Sequence, residues 1–302
     1  MNGVINVYKE PGYTSFDVVA KLRGILKTKK IGHTGTLDPD AEGVLPVCIG
    51  KATKLCDYLT VKKKIYEAVL ELGVETDTLD RSGTVLRENI VSVDESAVRA
   101  VISSFIGKQK QIPPMYSALK VNGQKLCDLA RKGIEVERRP REIEIYDIKI
   151  KSSTIPFIKI EVECSKGTYI RTLCNDIGSR LQCGGCMKQL TRVASGAFSI
   201  DSALKLSEIE QIMNSNNSES AFQDILIPVD HILSDYPVVR GSIAVTQLLE
   251  NGNKVPINEL TSEIELIEYS GSVRMYDAND RFVGIFKKTE NSGEYRPEKM
   301  FR

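Results

Sequence analysis

The amino-acid sequence predicts an α+β protein with two domains. Over the first two thirds of the 302 residues, long strand-like runs are mixed with amphipathic helical segments. Beyond Tyr236 the chain changes to short strand-like runs separated by Gly and Asn, which is typical of a small β domain. Because a chain of this length is long enough for two hydrophobic cores, we predict a larger domain at 1–235 and a smaller one at 236–302.

The N-terminal segments alternate between strand and helix patterns. Residues 4–8 predict a short strand, and Thr14 precedes a helix as its N-cap, with Asp17 three residues further on. The apolar stripe of this helix is expected to comprise Phe16, Val19, Ala20, Leu22 and Leu26. A loop punctuated by glycines follows at 32–43 and leads to a buried strand at 44–49.

The middle of the chain predicts further strands of the same sheet and two more helices. Residues 65–72 alternate as a strand that places on one face Tyr66, Ala68, Leu70 and Leu72. Asp94 caps a clear amphipathic helix, and strands are predicted at 143–150 and 157–164. The turn at 165–167 then leads into another helix.

The last third of the chain combines a polar stretch with short apolar runs. Residues 214–220 are almost entirely polar, and we interpret them as flexible. The strand-like runs of the smaller domain lie at 264–267, 273–276 and 282–286.

Composition narrows the cellular context and excludes some classes of protein. No apolar run approaches the ~20 residues that span a bilayer, and the N-terminus lacks the pattern of a secretory signal. Seven scattered cysteines fit a reducing cytoplasm better than a disulfide scaffold. Cys183 and Cys186 have the spacing of zinc ligands, but a second such pair is missing from the sequence, so we predict no metal.

The charges are distributed unevenly along the chain. Residues 1–199 carry 31 Lys and Arg against 23 Asp and Glu, whereas the residues from 200 onward carry 10 against 17. Residues 107–142 hold nine basic and four acidic side chains together with two adjacent prolines, and we interpret them as a basic excursion from the core. This asymmetry is compatible with a polyanionic partner or with ordinary solvated surface.

The loop at 32–43 is the densest cluster of residue types that carry chemistry. A phosphate-binding P-loop requires Ser or Thr after Gly-Lys, and Ala52 follows here. A calcium loop that starts at Asp38 requires Glu at its twelfth position, which is Ile49. Because Asp-Pro also starts ordinary turns, the residue pattern alone leaves Asp38 as either a turn residue or a functional carboxylate.

The same loop resembles the signature of a known enzyme family. The stretch Gly32-His33-Thr34-Gly35-Thr36-Leu37-Asp38-Pro39, continued by Gly43-Val44-Leu45-Pro46, resembles that of the TruB family of tRNA pseudouridine synthases. Six further stretches resemble the family's other motifs in the family's order: 7–15, 50–54, 64–66, 111–118, 166–171, and 190–192 with 195–196. The matches cover nearly all of residues 3–199, and 295–301 resembles the family's small C-terminal domain more loosely.

The resemblance implies a specific fold and activity. The expected fold is that of pseudouridine synthases, with a mixed, largely antiparallel central sheet flanked by helices and a small β-rich PUA-like domain. The expected reaction isomerises the T-loop uridine at position 55 of tRNA to pseudouridine. The reaction requires no cofactor. The protein is expected to act as a monomer, away from membranes, and to need neither a guide RNA nor an obligatory protein partner. The excursion at 107–142 matches the place of the family's RNA-gripping insertion.

The resemblance also assigns four catalytic residues. Asp38 becomes the nucleophilic carboxylate, which either attacks the uracil ring or assists the departure of uracil and takes a proton from the sugar. Burial raises the pKa of a carboxylate and a nearby cation lowers it, so Arg171 fits as the ion-pair partner that keeps Asp38 ionised. Tyr66 offers a stacking platform for the flipped base, and its hydroxyl is a candidate for handling the ring proton. Tyr169 is expected to bond Asp38 or the edge of the base.

Other residues are expected to bind the RNA. His33 enters the space that the flipped bases leave, Leu190 forms an apolar floor, and Lys9 supports the site. The remaining candidates are Gly32, Thr34, Lys120, Arg131, Arg138 and Arg139. Two other functions stay open at this point: an RNA-binding protein or tRNA-folding chaperone without catalysis, and the guide-RNA-dependent relative that modifies ribosomal RNA.

Overall fold

The computed structural model describes residues 1–215, 218–290 and 293–301. In the larger part of the chain the strands are β1 (Gly3–Lys9), β2 (Ile31–His33), β3 (Glu42–Ile49), β4 (Lys64–Leu72), β5 (Val74–Thr76), β6 (Val85–Glu88), β7 (Gly107–Gln111), β8 (Lys120–Val121), β9 (Gln124–Lys125), β10 (Arg141–Thr154), β11 (Phe157–Cys164), β12 (Gly185–Ser195) and β13 (Phe198–Ser199). The C-terminal strands are β14 (Val238–Gly241), β15 (Val255–Pro256), β16 (Leu260–Ser262), β17 (Ser272–Tyr276), β18 (Phe282–Lys288) and β19 (Glu294–Met300).

The helices of the described residues are short. They are α1 (Ser15–Ile25), α2 (Cys56–Thr60), α3 (Glu95–Ser103), α4 (Leu126–Ala130), α5 (Ile170–Arg180), α6 (Leu206–Asn214), α7 (Ser218–Ile225), α8 (Val229–Ile232) and α9 (Thr246–Asn251). Turns of 3₁₀-helix occur at Gly50–Leu55, Ile200–Ser202, Ile243–Val245 and Ile257–Glu259. Of the stretch interpreted as flexible, residues 216 and 217 lie outside the described residues, and α7 begins directly after them.

A nine-stranded sheet forms the centre of the described chain. Its main order is β1-β3-β12-β4-β11-β10-β7, and the short strands β2 and β13 pair with β3 and β12. Its pairings are antiparallel except between β3 and β12, which run parallel where Thr191 and Arg192 meet Glu42 and Gly43. The predicted α+β class and the mixed, largely antiparallel sheet are therefore confirmed.

Local sequence signals explain the first helix, with one correction. Thr14 and Asp17 form both halves of the capping box that their spacing predicts. The predicted apolar stripe is wrong at two members, because Phe16, at 64% exposure, and Ala20 are both exposed, while Val18 is buried instead. Phe16 is thus left available at the surface.

Two hydrophobic clusters hold helices against the sheet. Side chains of α3 and α5 pack with β4, β10, β11 and β12 in one cluster. Side chains of α1, α6 and α7 pack with β1 and β3 in a second cluster. A sheet whose strands are covered in this way gives a rigid base for the loops that leave it, including the loop at 34–41.

The excursion predicted at 107–142 is shorter in the structure. Residues 107–111 form β7, which pairs with β10 as the last strand of the central sheet. The basic excursion therefore consists of residues 112–140, with the small β8–β9 hairpin and α4.

The C-terminal strands form a second sheet with its own core. Its order is β15-β19-β18-β17-β14-β16, and the strands predicted at 273–276 and 282–286 are confirmed as β17 and β18. The strand predicted at 264–267 is wrong: these residues form a turn in which the amide of Tyr269 bonds the carbonyl of Glu265, with Leu266 buried and Ile267 exposed. The second sheet begins at Val238, and the domain division at 235/236 stays a prediction.

No helix of the described chain combines the length and the apolar character needed to cross a bilayer.

Candidate active site

Asp38 lies in the loop between β2 and β3, and its backbone forms a turn. The amide of Ala41 donates to the carbonyl of Asp38 at 3.2 Å, and the amide of Leu37 donates to Ser15 Oγ at 2.9 Å. Gly43 follows with φ +104°, where a Cβ would lie 2.3 Å from the backbone oxygen of Arg192 on the parallel strand. The turn interpretation of Asp38 is therefore confirmed for its backbone, while the functional role of its side chain stays a prediction.

Arg171 holds the Asp38 carboxylate with two parallel contacts. Its Nη2 donates to Oδ1 at 3.0 Å, and its Nε lies 3.0 Å from Oδ2. The Arg171 side chain is 6% exposed, whereas that of Asp38 is 36% exposed. A bidentate arginine fixes both the position and the rotation of a carboxylate, so Asp38 faces the cavity in a defined orientation.

Arg171 also connects three other parts of the chain. It donates to the carbonyl of Tyr116 at 2.7 Å and to that of Thr78 at 3.2 Å. Its Nη1 forms a second ion pair, at 3.4 Å, with Asp80 Oδ2. Asp80 is absent from the predicted site, because it lies in a turn of polar residues that carries no motif by itself.

Two carboxylates thus share one guanidinium. Burial raises the pKa of Asp38, Arg171 is the largest influence that lowers it, and the nearby Asp80 raises it again. We expected Arg171 to reverse the effect of burial, but it limits the rise instead. Arg171 is thus the main group that favours the ionised form of Asp38, with a smaller contribution from Lys9.

Above Asp38 lies a cavity of about 830 Å³. Asp38, Asp80, Arg171 and Leu190 form what we call its floor. The cationic groups at its edge, which we call the basic rim, are Arg81, Lys125, Arg131 and Lys188. The exposed Phe16 also lines the cavity. Its size is within the range of pockets for small organic ligands.

Tyr66 lies beneath this floor. It is buried in the same cluster as Leu37, Ala41 and Leu190, and within the described residues its surface is not part of the cavity lining. Burial raises the pKa of Tyr66, the charge of Arg192 opposes this rise, and Asp38 adds to it. Leu190, by contrast, lines the cavity as predicted from the motif.

Tyr169 is the residue before α5 and is fixed through its backbone. Its amide donates to Gln111 Oε1 at 2.8 Å, and its carbonyl accepts from Gln111 Nε2 at 3.0 Å. Burial raises the pKa of its hydroxyl, which lies near Ser117. In the described part of the chain, Tyr169 makes no hydrogen bond to Asp38. Its other expected partner, the edge of the base, stays a prediction.

Lys9 is a support residue by its geometry. It is fully buried, and its Nζ donates to the carbonyls of Pro39 at 2.9 Å and Glu10 at 3.1 Å. Burial lowers its pKa to about 8, although Asp38 and Asp40 act in the opposite direction.

His33, Gly32 and Thr34 lie where the loop leaves the sheet. His33 Nδ1 accepts the amide of Gly35 at 3.3 Å, and burial, followed by the charge of Arg192, lowers the pKa of its imidazole. Gly32 pairs with Cys48 in the sheet, and the amide of Thr34 donates to the carbonyl of Pro46. None of the three lines the cavity within the described residues, so their RNA-binding role stays a prediction.

The predicted cations of the basic excursion differ in how free they are. Lys120 and Arg139 are exposed, and Arg131 lines the cavity with its side chain 72% exposed. Arg138 is partly tied down, because it donates to the carbonyl of Pro113 at 3.2 Å and lies 3.5 Å from Glu135. The sequence prediction left out Lys125, Arg81 and Lys188, which line the same cavity.

Among residues 1–215, 218–290 and 293–301, no group of three or more His, Cys, Asp or Glu side chains could hold a metal ion. Cys183 and Cys186 are buried free thiols, and burial raises the pKa of both.

Comparison with solved structures gives the class of protein. The chain is similar to Cbf5 in a Cbf5–Nop10–Gar1 complex, with a TM-score of 0.76 and 27% identity over 99% of this chain and 85% of that one. It is similar to a chain of an H/ACA RNP bound to a substrate RNA containing 2'-deoxyuridine, with a TM-score of 0.75 and 25% identity over the same shares. The chain thus has the fold of these proteins, and the class that it belongs to is the pseudouridylate synthases, whose family models match it.

Sequence comparison gives the family. The model of the TruB family pseudouridylate synthase N-terminal domain matches residues 23–170, and that of the tRNA pseudouridylate synthase B C-terminal domain matches 171–234. The chain belongs to the TruB family, as its motifs predict. The tRNA pseudouridine synthase B of Lachnoclostridium phytofermentans is 50% identical over 310 aligned positions, covering 100% of both chains. That of Clostridium acetobutylicum is 48% identical and covers 96% of both.

Proposed function

We propose that this protein is a tRNA pseudouridine synthase that isomerises the T-loop uridine at position 55, with Asp38 as the nucleophilic carboxylate. The observation that carries the proposal is the bidentate ion pair between Asp38 and Arg171 at the floor of a cavity edged with cations. The full-length relatives named tRNA pseudouridine synthase B support tRNA as the substrate.

The reaction breaks the bond between ribose C1′ and uracil N1 and forms a bond between C1′ and C5 of the same ring. The proton on C5 leaves and N1 gains one, so the atoms balance without a redox step or a cofactor. Asp38 either adds to the uracil ring or assists the departure of uracil while taking the C2′ proton of the sugar. Both routes require an ionised carboxylate, which Arg171 favours.

The target uridine must leave its stack before Asp38 can reach it, at a cost of a few kcal/mol. The apolar Leu190 on the floor and the exposed Phe16 in the cavity lining offer contacts that offset this cost, because base–aromatic stacking contributes ~1–3 kcal/mol. The basic rim and the basic excursion are suited to the phosphates of the T-arm. We also infer that the protein acts in the cytoplasm, where its tRNA substrate is made.

The test uses purified protein and a T-arm stem-loop transcript without any other RNA or protein. A stem-loop with cytidine at position 55 is the matched control. We expect pseudouridine at position 55 only, detected by mass spectrometry. If binding occurs without pseudouridine, the protein is a catalytically silent RNA-binding protein. If conversion requires an added guide RNA, the guide-dependent alternative is correct instead.

A further inference from the structure

Arg192 is the largest fully buried side chain in the described residues, at 1% exposure. It lies on β12, two residues after Leu190, and the site described above gives it no role. Its Nε donates to the carbonyl of Val44 at 2.6 Å, and its Nη2 donates to that of Gly35 at 3.2 Å. These two carbonyls stand on either side of Asp38 in the chain, so one guanidinium holds both ends of the catalytic loop.

Charges of both signs lie around Arg192, since the carboxylates of Asp38, Asp40 and Glu42 act on its neighbour Lys9. In the described part of the chain no carboxylate forms an ion pair with it, and the nearby titratable side chains on other elements include Lys9, His33 and Lys64. A buried cation without a counter-ion is costly, and two carbonyl dipoles offset only part of that cost. The placement of Arg192 therefore points to a partner that gains negative charge during the reaction.

The group that Arg192 meets is the hydroxyl of Tyr66. The two residues face each other in the register of the antiparallel pair β12 and β4. The charge of Arg192 opposes the burial that raises the pKa of this hydroxyl, whereas Cys164 and Asp38 add to the rise. Side chains that face each other across an antiparallel pair lie on the same face of the sheet, with Cβ atoms ~4.5–5.5 Å apart, so the buried guanidinium lies beside the buried phenol.

We propose that Arg192 is a positioning residue that couples the loop carrying Asp38 to the Tyr66 hydroxyl, and that it stabilises the negative charge that this hydroxyl gains when it passes its proton to uracil N1, before it takes the C5 proton in return. The inference rests on the proposed function, since it deepens the role of the same site. Arg192 would then have two tasks: it holds the loop that carries Asp38, and it acts on the hydroxyl of Tyr66. Two separate experiments measure these tasks.

The first experiment titrates position 66 directly. Tyr66 is replaced by 3,5-difluorotyrosine, whose fluorines bring the titration into an accessible pH range and report it by ¹⁹F NMR. In the Arg192→Gln variant the midpoint is expected to rise by about one pH unit or more, because an opposing charge is removed. Arg192→Lys keeps a charge and should shift it less. An unchanged midpoint in Arg192→Gln would overturn the proposal, and this readout does not depend on activity.

The second experiment separates the phenol from the loop. Single-turnover conversion of the T-arm stem-loop is measured for Arg192→Gln in the wild-type and in the Tyr66→Phe background. We expect a loss of at least about tenfold in the first background and a much smaller loss in the second, because interacting residues are not additive. Equal losses would mean that Arg192 acts through the loop alone, contrary to the proposal.

Controls keep the two proposals distinguishable. Thermal unfolding identifies a variant that does not fold, in which case Arg192→Lys carries both tests. If the wild-type protein makes no pseudouridine, the proposed function fails, whereas the ¹⁹F titration still decides whether Arg192 controls Tyr66.

Discussion

The floor of the cavity and its basic rim are built in opposite ways. At the floor, Arg171 makes contacts with Asp38, Asp80 and two backbone carbonyls, and its side chain is almost fully buried. At the rim, Arg131 has one exposed ion pair at 3.6 Å with Asp128. Surface pairs of this kind contribute only ~0–1 kcal/mol. The floor therefore has one defined geometry, as chemistry requires, while Arg131 at the rim is free to adapt to a flexible polyanion.

The largest of the contrasting effects is expected from Arg171→Gln. Removing the main influence that lowers the pKa of Asp38 should raise that pKa further, so the ionised form is lost at a higher pH. The acid limb of the single-turnover rate should move upward by about one pH unit or more, and the rate at neutral pH should fall by about 10²-fold or more. Arg171→Lys is the charge-retaining control. An acid limb that stays in place would show that Arg171 does not tune Asp38.

A smaller and different effect is expected from the rim and excursion. Replacing Arg131, Arg138 and Arg139 together by Ala should weaken stem-loop binding and flatten its salt dependence. We expect the slope of the logarithm of the binding constant against the logarithm of the salt concentration to become shallower by about two. Each lost phosphate contact removes roughly 0.7–0.9 from this slope, and Arg138 is expected to contribute less than the other two because it is partly held by Pro113.

The rate at saturating RNA should stay near that of the wild type in this triple variant. The matched control replaces the exposed Lys149 and Lys151, which pair with Glu161 on the sheet. If the salt slope is the same in the triple variant and in wild type, the excursion is not part of the interface.

The smallest effect separates Phe16 from Val18 on the same helix. Phe16→Ala should weaken RNA binding by about fivefold, the low end of base stacking at ~1–3 kcal/mol, with no change in thermal stability. Val18→Ala should destabilise the protein by roughly 1–3 kcal/mol without a direct effect on binding. Thermal unfolding and stem-loop titration measure both quantities. If Phe16→Ala lowered the thermal stability and left RNA binding unchanged, Phe16 would act as a core residue and the prediction would be wrong.

The fold was largely predictable because strand alternation and helix caps are local signals. Thr14 with Asp17, Asp94 and the alternation of β4 each depend on neighbours within a few residues. The prediction failed at 264–267, where alternating charged and apolar residues imitate a strand while the backbone turns. It failed also at Phe16, because helical spacing does not determine which edge of a stripe faces the core.

The site was predictable only in part. Asp38 and Arg171 are 133 residues apart, and their pairing was expected from the family resemblance rather than from any local pattern. Asp80 and Arg192 were missed as site residues for the same physical reason: their importance comes from contacts across the fold. In the sequence, Asp80 is an ordinary polar turn residue and Arg192 an ordinary strand arginine. Only the folded structure shows that Asp80 lies beside Arg171 and Arg192 beside Tyr66.

The most direct test of the central claim compares two carboxylates of one loop. Asp38→Asn and Asp40→Asn are measured for stem-loop affinity and for single-turnover pseudouridine formation. Both side chains line the cavity, but only Asp38 is held by Arg171. We predict that Asp38→Asn loses at least about 10⁴-fold in rate and keeps its affinity, while Asp40→Asn stays close to wild type in both. Residual turnover in Asp38→Asn equal to that of Asp40→Asn, or an equal loss of RNA binding, would contradict a floor built for catalysis.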